Sequence, residues 1–381
     1  MLHETGALIS LQPNASKIVT QLGLGRFLVS AKPMVDRGFR LFDIFGNLVN
    51  ELKLETSQFG ADRVLYHRQD LHSALRQAAS SAELPGKPVE IRTASPVVKC
   101  NTDEGIVTIE NGEEFQADLV IGADGIKSIM RSTVLNDDRG PIPTGISAYR
   151  ILMPSEELRD LEGVPDIVRS SDPAVTSMVV GNDKRVIMGP GRGGELFGIV
   201  ALVPDEMMHE ESSSDSWVKP GSKQEVQEAF KDFAPWLSAI FDRAPADQIG
   251  LWQLRDLDPL PTWVRGRAVL IGDAAHAMLP TQGQGASQSI EDAEALRAFF
   301  EHINHRPSRN EVQDALQRVF EARFKRVSLI QAYSRQQAKP GADKGSATVT
   351  LNPGQFMEYN CKYIGAVDWL ARQRNTTSLA T

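Results

Sequence analysis

Apolar and polar positions change period several times along the chain, and each change marks an element. "NASKIVTQLGLGRFLVSA" places apolar residues at helical spacing and stops near Gly23 and Gly25, which predicts a short amphipathic helix. "GFRLFDIFGNLVNELKL" (38–54) alternates on either side of Gly46-Asn47, the signature of a hairpin. Leu71, Ala74 and Leu75 share one face of a predicted helix over 66–82, with Asp70 near its start. "PVEIRT", "PVVKCN" and "GIVTIENGEEFQADLVIGADG" then alternate as strands, with a second hairpin at Asn111-Gly112.

From about Gly145 to Gly250 short strands dominate ("VTSMVVG", "KRVIMGP", "LFGIVALV"). They are broken by "HEESSSDSWVKPGSKQ", which reads as a solvated surface loop. From Arg267 the pattern returns to an apolar strand, a glycine-rich loop and long helices reaching about residue 338, and the tail to Thr381 is weakly patterned. Chemistry-bearing segments thus flank a β-rich middle. The expected fold is α/β, a Rossmann-like lobe with an inserted β-sheet lobe and C-terminal helices.

Composition removes several function classes. The net charge of -8 argues against nucleic acid or an anionic membrane as partner. Two distant cysteines, Cys100 and Cys361, rule out a disulfide scaffold and a thiolate zinc site. No stretch reaches the roughly 20 apolar residues of a membrane span, and the first residues lack the charge and apolar run of a signal peptide, so a cytoplasmic location is expected. His302 and His305 lack a third ligand and read as surface residues, while His276 reads as structural. The carboxylates of "SIEDAEAL" read as the solvated first turns of a helix.

Two segments carry chemistry. In "DLVIGADGIKSIMR" a strand runs into the tight turn Asp124-Gly125, and Ser128 is placed to cap the next helix, with Arg131 one turn on. An ordinary strand-to-helix turn would read the same. In "RAVLIGDAAHAMLPTQGQGASQSIEDAEAL" Asp273 stands at the carboxyl end of a buried strand, where ligands of α/β sheets bind. Pro280 stiffens the approach, Gly283 and Gly285 let backbone come close to a flat ligand, and a helix starting near Ala286 aims its N–H groups at negative charge. The bland alternative is a tight connection with two permissive glycines.

Together the two segments resemble the DG and GD motifs of single-component FAD-dependent aromatic hydroxylases of the salicylate hydroxylase type. The resemblance runs from Glu4 to about residue 338 and implies FAD as cofactor and NADH or NADPH as co-substrate. It implies that Asp124, Gly125, Asp273, Gly283, Gly285 and Ala286 lie along the cofactor, with Pro280 and the glycine loop lining the isoalloxazine. "YHRQDLHSAL" resembles the segment whose arginine, here Arg68, contacts FAD, and "ETGALISLQPNA" would pass Gly6 and Ala7 near it. "ISAYR" resembles a substrate-lobe stretch whose arginine, here Arg150, is in the active site; an exposed strand arginine is the plainer reading.

The domain division so implied is an FAD lobe of 1–34, 61–139 and 262–340, a substrate lobe of 35–60 and 140–261, and a tail, 341–381. The implied activity is hydroxylation of an aromatic, phenolic small molecule through a flavin C4a-hydroperoxide, in secondary metabolism or aromatic catabolism. Two departures stand out. The family's opening GxGxxG unit, about 35 to 40 residues, is not found here, "LGLGRF" being the nearest glycine pair. Where relatives read Tyr-Pro, this chain has Gly189-Pro190, so a phenol role falls vacant or passes to Tyr149. The alternatives are a non-catalytic remnant, or a flavin epoxidase, dearomatase or Baeyer–Villiger enzyme.

Overall fold

The alternating segments of the middle of the chain line up as one eight-stranded sheet in the computed structural model, which describes residues 7–205, 217–338 and 349–378. Its order is Val218–Pro220, Ile249–Asp256, Ile142–Pro154, Leu196–Pro204, Arg185–Gly191, Thr176–Val180, Gly38–Phe42 and Leu48–Lys53. Every pairing is antiparallel except that of Thr176–Val180 with Gly38–Phe42. The first predicted hairpin forms its edge, with Phe42 opposite Leu48 across the turn.

The period of two assigns the sheet's faces. Tyr149, Ile151, Met153, Val186 and Met188 point to one side, into a core closed by Val226, Phe230, Leu237, Ile240 and Phe241. These closing residues come from or adjoin helices Lys223–Ala229 and Pro235–Arg243. Ala148, Ile187, Val200 and Leu202 face the other way and are covered by Leu279 and Ala338. Leu8 crosses the same sheet at Gly191 and Gly198, where a Cβ on Gly198 would lie 2.6 Å from the Leu8 Cγ.

Three small sheets complete the architecture. Leu8–Leu11 pairs with Val64–His67, which pairs with Met34–Val35. Val97–Asn101, Ile106–Ile109 and Glu114–Gln116 form a meander that contains the hairpin predicted at Asn111-Gly112. Val120–Gly122 runs parallel to Ala268–Leu270, which also pairs with Val264–Arg265. The α/β fold class is as expected, and no helix among the described residues is long and apolar enough to cross a membrane.

Three local expectations are corrected. "PVEIRT" is not a strand; Val89 and Ile91 are exposed, and without a facing strand their alternation has nothing to bury against. The polar segment 209–224 is not wholly a loop: Val218–Pro220 pairs with Ile249–Asp256, and Ser222 caps helix Lys223–Ala229, while 206–216 lie outside the described residues. The weakly patterned tail holds helices Pro353–Cys361 and Ala366–Ser378. The second packs on helices Gly285–Phe300 and Arg309–Ala338.

Candidate active site

The two glycine-bearing turns, 149 residues apart at Asp124 and Asp273, are joined at their roots. Their strands form the parallel pair, and the Ile271 N–H donates to Gly122 O at 3.0 Å just beyond it. Buried Arg131 ties them again, donating to Ala274 O at 3.3 Å, Ile126 O at 2.8 Å and Arg139 O at 3.0 Å. The strand spacing alone does not show this use of Arg131.

Asp124 and Ser128 share the capping of helix Ile129–Leu135. Asp124 accepts from Ile129 N–H at 2.9 Å, Met130 N–H at 3.0 Å and Ser128 Oγ at 2.5 Å, while Ser128 Oγ accepts from Arg131 N–H at 2.9 Å. Both Asp124 oxygens are thereby engaged within the turn. Gly125 takes φ +75°, and the space where its Cβ would stand is open.

The second turn is built differently. Gly272 (φ +59°) swings the chain from the buried strand into helix Asp273–His276 and leaves Asp273 exposed, with no hydrogen bond or ion pair to a described residue. Buried Leu279 pins the loop against the large sheet, and Pro280 opens a single 3-10 turn closed by Gly283 at φ +60°. Helix Gly285–Phe300 then starts without a side-chain cap, so its first N–H groups keep their donor capacity. The Cβ position of Gly285 meets nothing within 4 Å. An open cradle, a partnerless carboxylate and an uncapped helix start fit a flat cofactor with hydroxyls and negative charge, as FAD is.

The loop's rigidity comes from residues the sequence reading missed. Gln284, at its centre, accepts from Asn14 Nδ2 at 3.3 Å and Gln288 Nε2 at 3.1 Å. Both donors also reach Glu291 Oε1, at 2.6 and 3.2 Å. Glu291 is held by Arg323 and, at 2.7 Å, by Arg326; Asp292 accepts from Arg323 Nε at 2.9 Å and meets His276 Nε2 at 2.7 Å. All four charged side chains are fully buried, so the expectation of solvated carboxylates in "SIEDAEAL" is wrong. Burial pushes both carboxyls up, but Arg326 and Arg323 around Glu291, and His276 and Arg323 around Asp292, more than offset it and hold both below the usual range. His276 is buried and structural; His302 and His305 lie at the surface.

Ala7 and Arg68 meet, the Arg68 N–H donating to Ala7 O at 2.8 Å, while it is Ser10, on the strand that follows Ala7, that approaches the loop at Gly283; Gly6 lies outside the described residues. Arg68 begins helix Arg68–Ala79 and is exposed. Its charge reaches Arg150, whose guanidinium is pushed down by burial and then by Arg68. Arg150 stacks over Trp252, 5.1 Å from the ring centroid, on the sheet face that Leu279 covers.

Tyr149 does not join it. The strand turns Tyr149 to the opposite face, where it is 1% exposed in the core and burial pushes its phenol up to about 12. Adjacent strand residues cannot serve one site, so Tyr149 is removed from the catalytic set. Gly189 leaves the Tyr-Pro position without a phenol.

Comparison with known proteins identifies the family. Residues 21–308 match the model of a family described as an FAD binding domain. An FAD-dependent monooxygenase of Diaporthe leptostromiformis is 30% identical over 385 residues, covering 98% of this chain and 94% of its own. A salicylate hydroxylase of Pseudomonas putida is 33% identical over 305 residues, covering 76% and 67%. A solved salicylate hydroxylase substrate complex superposes with a TM-score of 0.75 at 27% identity, covering 96% of this chain and 90% of that one. The chain belongs to this FAD binding domain family and is an oxidoreductase, an FAD-dependent monooxygenase.

Proposed function

We propose that the chain uses NADH or NADPH and dioxygen to hydroxylate an aromatic, phenolic small molecule. One observation carries the reading. Arg150 lies largely buried on an aromatic ring, beside a second arginine, without a carboxylate partner among the described residues, on the sheet face covered by the loop of the cofactor cradle. A buried cation without a counter-ion is costly, and an anionic or phenolate ligand would complete it.

Bound FAD would supply the redox chemistry, taking reducing equivalents from the nicotinamide and activating dioxygen. The residues supply placement. Asp273 accepts from cofactor hydroxyls, Arg68 and the main chain at Ala7 flank it, and Gly125 leaves room beside the turn that Asp124 shapes. Gly285 and Ala286 present backbone donors that would steady negative charge on the ring, and Gly283, whose own N–H closes the turn on Pro280 O at 3.0 Å, gives the loop its left-handed corner. Pro280 and Leu279 keep the loop stiff and dry against the sheet. Arg150 holds the substrate oxygen and, by its charge, favours the deprotonated phenol. Residues 1–34, 61–139 and 262–340 form the cofactor lobe and 35–60 and 140–261 the substrate lobe, with 341–381 as the tail.

The test is to express the chain, add FAD and measure bound-flavin absorbance, then NAD(P)H oxidation with a panel of phenols. Arg150→Ala should keep the flavin and lose phenol-dependent oxidation by roughly 100-fold, the size of effect seen when one preorganised donor is removed. A soluble chain that stays colourless in excess FAD would instead favour a non-catalytic remnant. Loss of flavin together with activity in Arg150→Ala would make that residue structural.

A further inference from the structure

The eight-stranded sheet ends in two edges, and they are built differently. Val218–Pro220 at one end is three residues long and closes on a proline, which blunts an edge. Leu48–Lys53 at the other end is six residues long, carries no proline, and has no strand on its outer side among the described residues. All six of its residues are exposed, Leu48, Val49 and Leu52 among them. A long edge that also shows apolar side chains is a template for another strand.

The backbone shows which residues address the open side. The Leu54 N–H donates to Arg37 O at 2.8 Å, one step past the paired Lys53 and Gly38. Alternation along an antiparallel ladder then gives the hydrogen bonds to the Leu52–Phe39 and Asn50–Leu41 pairs. The N–H and C=O groups of Glu51 and Lys53 therefore point outward. Their side chains share one face of the sheet, on which Glu51 accepts from Arg40 Nε at 2.9 Å. The Lys53 ammonium has no ion pair or hydrogen bond among the described residues.

We infer that this edge is an interface with a second copy of the chain, the two Leu48–Lys53 strands running antiparallel about a dyad at Leu52. That register sets Glu51 opposite the partner's Lys53, and Lys53 opposite the partner's Glu51, as a self-complementary interface requires. Both members of each pair turn their backbone groups toward the other, so each pair closes its two hydrogen bonds. The two Leu52 side chains meet across the axis, where directly opposed Cα atoms stand about 4.5 Å apart. Neighbouring registers lack this complementarity. A dyad at Glu51 opposes two carboxylates, which is destabilising. A dyad at Asn50 leaves Lys53 facing Asn47 and draws the irregularity between Leu48 and Asn50 into the new ladder.

The test is sedimentation velocity on the full chain with FAD added, over a range of micromolar concentrations and at low salt. The wild type should pass from monomer to dimer as concentration rises. Lys53→Glu sets like charges opposite each other twice and should raise the dissociation constant at least about tenfold. It leaves the Arg40–Glu51 contact in place, so the thermal midpoint should not move. Glu51→Lys should weaken the dimer by the same route. An equimolar mixture of the two variants should dimerise as the wild type does, because every lysine then faces a carboxylate. A wild type that stays monomeric overturns the inference, as does a dimer indifferent to Lys53→Glu, or a mixture of folded variants that stays monomeric. Should Glu51→Lys fail to fold for want of its contact with Arg40, Lys53→Glu decides alone. Its defect must shrink as salt screens the new repulsion, and a defect that salt leaves unchanged overturns the inference.

Discussion

Asn14 donates to Glu291 at 2.6 Å across 277 positions of sequence, joining the first described helix to the helix that leaves the cofactor loop. Both side chains are fully buried, and Asn14 also reaches Gln284 at 3.3 Å. The conformation of the loop is therefore set from behind, by a charge-balanced cluster of Glu291 and Asp292 against Arg323 and Arg326.

Removing one member should be severe. Glu291→Ala leaves two buried guanidiniums without their shared carboxylate, and breaking a buried pair from one side costs about 3–5 kcal/mol. Urea unfolding of the flavin-free chain should show a lower midpoint with an unchanged slope, whereas Asn14→Ala should cost only about 1–2 kcal/mol. Equal losses from both substitutions would mean that the cluster does not act through Glu291.

The same cluster predicts a pH dependence. Folding holds the carboxyls of Glu291 and Asp292 below their unfolded values of about 4.3 and 3.9. Between the folded and unfolded pKa the unfolded chain binds more protons, so stability rises with pH through that window. The contribution is fully present above about pH 5 and is lost as pH falls through the folded values. Arg323→Met removes a neighbouring charge from both carboxylates. It should lower stability at pH 7 and shrink the further loss between pH 5 and pH 3, read from denaturant midpoints at each pH. An identical pH slope in variant and wild type would sink the assignment.

How much of this was legible in the sequence depended on the distance between partners. Period and turn chemistry disclosed the hairpins at Gly46-Asn47 and Asn111-Gly112 and the strand leading to Asp273, because each signal is local. Glu291 and Asp292 looked solvated because acidic residues early in a helix usually are. The arginines that bury them come 31 to 35 positions later, on another helix. Tyr149 next to Arg150 read as one site because a linear motif hides the alternation of a strand. "PVEIRT" had the right period and no strand to pair with.

Asp273 offers a cleaner test of the cradle because folding does not use its carboxylate. It is exposed and has no hydrogen bond or ion pair among the described residues. Asp273→Asn should leave the thermal midpoint of the flavin-free chain unchanged. FAD affinity should fall roughly 10- to 100-fold, the loss of one charge-assisted hydrogen bond of about 1.5–3 kcal/mol. Fluorescence titration of flavin reads the affinity and differential scanning the stability. A drop in stability without a change in affinity would assign Asp273 to the fold instead.

Gly285 separates folding from cofactor binding in the opposite direction. It begins helix Gly285–Phe300, its φ is not in the left-handed region, and an added Cβ would enter open space. Leucine is a better helix former than glycine by up to about 1 kcal/mol, so Gly285→Leu should not lower the thermal midpoint of the flavin-free chain. The side chain would occupy the space through which backbone donors reach a flat ring, so flavin titration should show binding at least tenfold weaker. Gly283→Leu makes the control. There φ is +60° and an added Cβ meets Ser10 Oγ at 3.2 Å, so stability itself should fall. A Gly285→Leu chain that binds FAD as tightly as wild type would show that the space beside the helix start is not where the cofactor lies.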